Sequence, residues 1–337
     1  MAAIFTYSLR AFLLILLTNL PLFVLSRTLD HTHTHIHPHS NPLSFNSLLS
    51  LEGLSKGQTA KGISNLKRYL NRFGYLNSDD GKDYFDEVLE SAVKHYQQNY
   101  NLNVTGKLDY GTIKQMELPR CGVPDSGLRG HRIHTHEFHD DDDSIIKNIN
   151  GSLYKFLDGN PKWPSEKTHL TYTFASAVQP VPLNVLRSIS AQAFSEWQQY
   201  SRFTFEEGPL SGSDLTLGFF VGDHGDGVPF DGPLNILGHA FSPPDGRLHL
   251  DGAESWTVDP PLGNQIDLFW VVLHEIGHLL GLAHSLDPNA IMYAHVTPGA
   301  SRRALTQDDI SGIQALYSTP QYQRRRIFLK NTFNISK

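Results

Sequence analysis

The sequence predicts an α+β protein in which a domain with one twisted sheet and three helices follows a small domain of three helices. Three observations predict it. Apolar residues recur at helical spacing three times between residues 62 and 125. Five short strand-like runs lie between residues 151 and 318. Three longer segments with a helical period are interspersed among them. A chain of 337 residues has room for two such units at roughly 100–200 residues per domain.

In the first unit, Ile63, Leu66, Tyr69, Leu70 and Phe73 share one helical face, and Gly74 closes the run. Phe85, Val88, Leu89, Ala92, Val93 and Tyr96 mark a second helix. Thr105-Gly106-Lys107-Leu108-Asp109 turns into a third around residues 112–116. In the second unit, Leu170-Thr171-Tyr172-Thr173-Phe174 alternates as a strand does, and Leu186, Ile189, Ala193 and Trp197 mark an amphipathic helix. Short strands follow at residues 203–205, 215–221, 239–241 and 248–250. Residues 266–280 form a strongly apolar helix, and residues 308–317 form the last one.

The flanks read differently. Arg10 precedes an apolar stretch over residues 11–25 broken by Thr18, Asn19 and Pro21, with Ser26 at its edge, so residues 1–26 are expected to be a secretory signal peptide. A bilayer span needs about 20 predominantly apolar residues, which argues against a transmembrane anchor. Residues 27–61 are rich in His and Pro without a core-forming period and are expected to be unstructured. Residues 126–150 hold a second His tract and the run Asp140–Asp143, a charged linker between the domains. Residues 319–337 are a basic tail. The sequons at Asn103, Asn150 and Asn334 could carry glycans on a secreted chain. The net charge of −6, from 28 Lys and Arg against 34 Asp and Glu, excludes a globally basic nucleic-acid binder. The expected product is a secreted, extracellular monomer.

Of 18 histidines, nine lie in the two tracts (residues 31–39 and 131–139), and chemistry is to be sought among the rest. The apolar helix carries His274-Glu275-Ile276-Gly277-His278. Positions i and i+4 share a helix face, so both imidazoles reach one ion while Glu275 stands beside it. Gly281 lets the chain turn back and bring in His284. Three imidazoles leave one tetrahedral position open, the layout of a catalytic zinc. Glu275 is then the base that takes a proton from water and hands it to the leaving amine. The string H-E-x-x-H-x-x-G-x-x-H, with Met292 in a following turn, is the demanding metzincin signature.

On these residues, and on Ser285 directly after the third histidine, the chain resembles the matrix metalloproteinases. The resemblance spans residues 62–318 and is closest to the minimal, plant-type layout without a hemopexin domain. It implies a metzincin catalytic domain with a mixed five-stranded sheet, acting on extracellular proteins or peptides. It also implies a second, structural zinc on His224, Asp226, His239 and His249. Calcium is implied on Asp231, Asp251 and Glu254 with the carbonyls of Gly232, Leu234 and Ile236. Ala294-His295-Val296 departs from the family's Pro-x-Tyr or Pro-x-Ile pocket wall, which leaves the side-chain preference open.

The single cysteine, Cys121, is by itself an inert thiol, an intermolecular bridge or a reactive group. Its segment, Pro119-Arg120-Cys121-Gly122-Val123-Pro124-Asp125, resembles the matrixin cysteine switch. The resemblance implies that Cys121 occupies the open zinc position, that Arg120 pairs with Asp125, and that the helical domain is a propeptide of peptidoglycan-binding-like fold. Two other classes of function compete. A non-catalytic binder on this scaffold would lack Glu275 or one histidine, and all four are present. A metal-sequestering protein would need neither the ordered spacing nor the methionine turn.

Overall fold

The computed structural model describes residues 46–125 and 153–318. The expected signal peptide, the whole of the expected linker 126–150, the basic tail, Asn150 and Asn334 lie outside the described residues.

Four helices make the first unit: α1 (Asn46–Leu49), α2 (Ile63–Arg72), α3 (Glu87–Asn99) and α4 (Tyr110–Met116). Asp86 caps α3 by accepting from Leu89 N at 2.7 Å, and Asp109 caps α4 by accepting from Thr112 N at 2.9 Å. Residues 46–61, expected to be unstructured with the rest of 27–61, are folded. Leu48 and Leu51 are buried in the helical core, and Thr59 bridges to Tyr84. Leu48, Leu49, Leu51 and Leu54 span barely two turns and Leu49 is exposed, so the run is too short and too mixed to show a core-facing period.

The second unit is built on a sheet of order β1-β5-β6-β4-β2-β3. Its strands are β1 (Arg120–Cys121), β2 (His169–Phe174), β3 (Thr204–Glu207), β4 (Leu215–Phe220), β5 (Ile236–Ala240) and β6 (Arg247–Asp251). Only β5 and β6 pair antiparallel, His239 facing His249. The five sheet strands of the second domain are those the sequence implies, except that β5, expected over residues 239–241, runs from Ile236 to Ala240. The sixth, β1, is donated by the helical unit and pairs parallel to β5.

A separate pair, β7 (Trp256–Thr257) and β8 (Ile266–Asp267), leads into helix α6 (Leu268–Leu279). The apolar run therefore starts as a strand and turns helical at Leu268, where Asp267 accepts from Phe269 N at 3.0 Å. Every residue of α6 is buried, as expected of a helix that is apolar on all sides. Helix α5 (Leu183–Tyr200) packs on it, and Trp197 Nε1 donates to Leu273 O at 2.8 Å. Helix α7 (Gln307–Tyr317) closes the domain with a capping box between Thr306 and Asp309.

Candidate metal centre

Helix α6 places His274 and His278 one turn apart. Leu282 N returns to Gly277 O, and Gly281, at φ 97°, packs so closely on Pro161 O that a side chain would collide. The chain thus doubles back to deliver His284. The Nε2 atoms of His274 and His284 lie 3.1 and 3.2 Å from that of His278. Cys121 Sγ is 3.4 Å from His278 Nε2, and the four ligand atoms all lie within 4.8 Å of one another, fully buried.

The outer nitrogens set the tautomers. Nδ1 of His274 donates to Ile291 O, Nδ1 of His278 to Leu282 O and Nδ1 of His284 to Asp125 Oδ1, each at 2.7 Å. Every Nε2 is therefore a bare lone pair aimed at a common point. Burial depresses all three imidazoles, His274 to about 3, so they stay neutral. A convergent set of three neutral imidazoles and a thiol suits zinc.

Glu275 is buried, and neither carboxylate oxygen has a hydrogen-bond partner among the described residues. Burial lifts its pKa to about 8. A Cβ on Gly238 of β5 would stand 3.4 Å from Glu275 Oε1, so the carboxylate faces the edge strand. Met292 packs its sulfur beneath Gly277 so tightly that a Cβ there would overlap it. Asp309 holds this turn by accepting from Ile291 N and Met292 N at 2.9 and 3.0 Å. Asp308 accepts from Ser285 Oγ at 2.6 Å. Neither aspartate was singled out from the sequence, since their partners lie 17 to 23 residues away.

The segment carrying Cys121 lies as a strand between β5 and residues 294–296. Arg120 N donates to Asn235 O and Gly122 N to Gly238 O, both at 2.8 Å, on one side. On the other, Cys121 N donates to Ala294 O at 2.9 Å, and Val296 N to Pro119 O at 2.8 Å. Arg120 stacks on Phe73, 3.5 Å from the ring centre, and pairs with Asp125 at 2.6 Å. Burial raises the thiol of Cys121, reinforced by Glu275 nearby.

A second cluster sits on the other side of β5. Asp226 Oδ2 lies 2.8 Å from His224 Nε2, 2.7 Å from His239 Nε2 and 2.8 Å from His249 Nδ1. These four ligand atoms also lie within 4.8 Å of one another. Despite burial, hydrogen bonds from Val228 N and His239 hold Asp226 below the usual carboxylate range, and burial lowers His239 to about 4. The acidic residues of the adjoining loop are bonded to its amides. Asp231 accepts from Ile236 N, Asp251 from Gly232 N and Glu254 from Leu234 N. Leu234 adopts φ 65°, a conformation costly for a branched residue. Glu254 Oε2 is buried without a partner, and its pKa rises to about 8 through burial, with Asp251 and Asp231 adding to it.

Residues 162–318 match the matrixin family, and residues 59–116 match a putative peptidoglycan binding domain. The chain is 42% identical to metalloendoproteinase 2-MMP of Arabidopsis thaliana over 283 residues, 79% of this chain and 73% of that protein. The chain is a matrixin. To metalloendoproteinase 1 of Glycine max this matrixin is 42% identical over 268 residues, 77% of the chain and 83% of the relative. To stromelysin-1 of Mus musculus it is 34% identical over 268 residues, covering 50% of that longer protein. As a matrixin it is a zinc-dependent endopeptidase acting on protein substrates, and the triad His274, His278 and His284 is consistent with its zinc. Cys121 falls between the two matched regions. Asn103 is exposed in the loop after α3.

Proposed function

We propose that this matrixin is made as a secreted, latent zymogen whose mature form cleaves internal peptide bonds of extracellular proteins. The observation that carries the latency is the position of Cys121 Sγ beside the three converging Nε2 atoms. Zinc, when bound, supplies the Lewis acid that polarises the scissile carbonyl and acidifies water. His274, His278 and His284 hold it. Glu275, on the helix turn between His274 and His278 and facing the edge strand, accepts a proton from water and returns it to the leaving amine. Strand β5 aligns the substrate backbone along the edge that β1 covers in the latent chain.

Two further metals support the scaffold in this reading. His224, Asp226, His239 and His249 would hold a structural zinc, because four ligand atoms leave no open position. Asp231, Asp251 and Glu254, with the carbonyls of Gly232, Leu234 and Ile236, would hold calcium. The lone buried oxygen of Glu254 supports it, since an anion there lacks a counter-charge. Secretion rests on the pattern of residues 1–26. Among the described residues no helix is long and apolar enough to cross a membrane.

The deciding experiment replaces Cys121 by Ser in the full chain. A hydroxyl coordinates zinc weakly, so the intact variant should hydrolyse a quenched peptide before any cleavage, with intact mass checked in the same sample. Mercurials should activate the wild type and leave the variant unchanged. A Cys121→Ser protein that stays latent until cut would show that the propeptide blocks by steric cover alone.

A further inference from the structure

The three histidines differ in where their outer nitrogens are held. His274 and His278 donate to Ile291 O and Leu282 O, carbonyls of the catalytic domain itself. His284 donates to Asp125, a residue of the propeptide 159 positions earlier in the chain. The Asp125 side chain is 1% exposed, and its carboxylate is fully engaged. Oδ2 accepts from Tyr75 and Tyr100 hydroxyls at 2.6 and 2.7 Å, while Oδ1 accepts from Arg120 at 2.6 Å and His284 at 2.7 Å. A partner for Arg120 alone could be turned either way. The two tyrosines, one after α2 and one at the end of α3, fix the orientation that leaves Oδ1 facing His284.

A carboxylate on the far nitrogen of a metal-binding imidazole fixes the ring and makes it a stronger donor. We propose that Asp125 is a second hold of the propeptide on the metal centre, acting through His284 and separately from Cys121. The latent protein would then bind its zinc more tightly than the mature enzyme. Asp125 leaves with the propeptide, and His284 alone of the three ligands exchanges a carboxylate for water. Asp125, Tyr75 and Tyr100 are positioning residues in this scheme. The inference rests on the zymogen reading above, and it adds that activation loosens a protein ligand as well as freeing a coordination position.

The test uses zinc-loaded full-length protein and times the transfer of zinc to a chromogenic chelator. Asp125→Asn keeps the shape and removes the charge, and should release zinc about tenfold faster or more. The same factor should appear on a Cys121→Ser background. The pair Tyr75→Phe with Tyr100→Phe should give a smaller acceleration in the same direction. No acceleration overturns the proposal. So does one that disappears on the Cys121→Ser background, since Asp125 would then act only by placing the thiol. Failure of the zymogen reading shows elsewhere, in a Cys121→Ser protein without activity before cleavage. Should Asp125→Asn fail to fold, with Arg120 left as a buried charge, wild-type protein labelled with 15N-histidine decides. One of the three zinc-ligand imidazole N–H groups should lose protection from solvent exchange when the propeptide is removed, and equal protection of all three overturns the proposal.

Discussion

Glu275 and Glu254 are two buried carboxylates lifted to about 8, with different consequences. Glu275 has no hydrogen bond to lose, so Glu275→Gln should leave the fold and the zinc content intact. Peptide hydrolysis by the activated variant should fall about 10²- to 10⁴-fold, the usual worth of a positioned base. Kinetics alongside metal analysis of the same sample check this, and near-normal turnover in a zinc-replete variant would remove Glu275 from the reaction. Glu254 speaks to stability. Its folded pKa stands above its ordinary value of 4.5, so the folded chain without a cation holds a proton that the unfolded chain releases. That stability is fully present below about 4.5 and is lost as pH rises through about 8. Thermal melts in a chelator should therefore fall between those limits. Added calcium should flatten or reverse the trend, because it stabilises the ionised carboxylates of Asp231, Asp251 and Glu254. Melts that ignore calcium at pH 8 would mean that the loop holds none.

At the scale of elements, the metal centre depends on how closely α6 meets the methionine turn. The sequence makes Gly277 look like a spacer in the H-E-x-x-H string, and the structure makes it a packing surface. A methyl group there would collide with Met292 and come within 3.0 Å of Trp197 on α5. Gly277→Ala gains about 1 kcal/mol of helix propensity, but overpacking typically costs about 1–3 kcal/mol. Met292 is only 1% exposed and has nowhere to go, so overpacking wins. A net loss of stability, read as a lower midpoint in urea, is expected, together with reduced activity as Met292 shifts. What was legible in the sequence was local. The spacing of His274, His278 and His284, the glycine that closes α2 and the apolar faces all follow from periods of a few residues. Asp125 on His284, Asp309 on the methionine turn and β1 on β5 join residues with no periodic relation, so nothing in the chain announces them. Leu48 and Leu51 escaped for the opposite reason: a single helical turn is too short to show a period.

At the scale of the whole molecule, the helical unit and the catalytic domain share a core. Phe230 and Ile236 belong to the second unit but are buried in the hydrophobic cluster of the first, and Tyr100 packs edge-on to Tyr293 and His295. Arg72 of α2 donates to Pro229 O beside them at 3.0 Å. Cutting the chain between residues 126 and 152 and removing the helical unit should uncover this surface. The catalytic domain alone should bind an apolar dye more strongly than the intact chain and melt at a lower temperature, because the docked helical unit stabilises the folded state as a bound ligand does. Equal melting temperatures would mean that the two cores are independent. The short strand Arg120–Cys121 carries one more consequence. Strand β5 forms one margin of the catalytic sheet, and an open margin of unpaired amides and carbonyls is a template on which other chains can assemble. While β1 lies along it, that template is closed, so removing this segment should expose an adhesive edge, read as faster aggregation of the cut protein than of the intact chain.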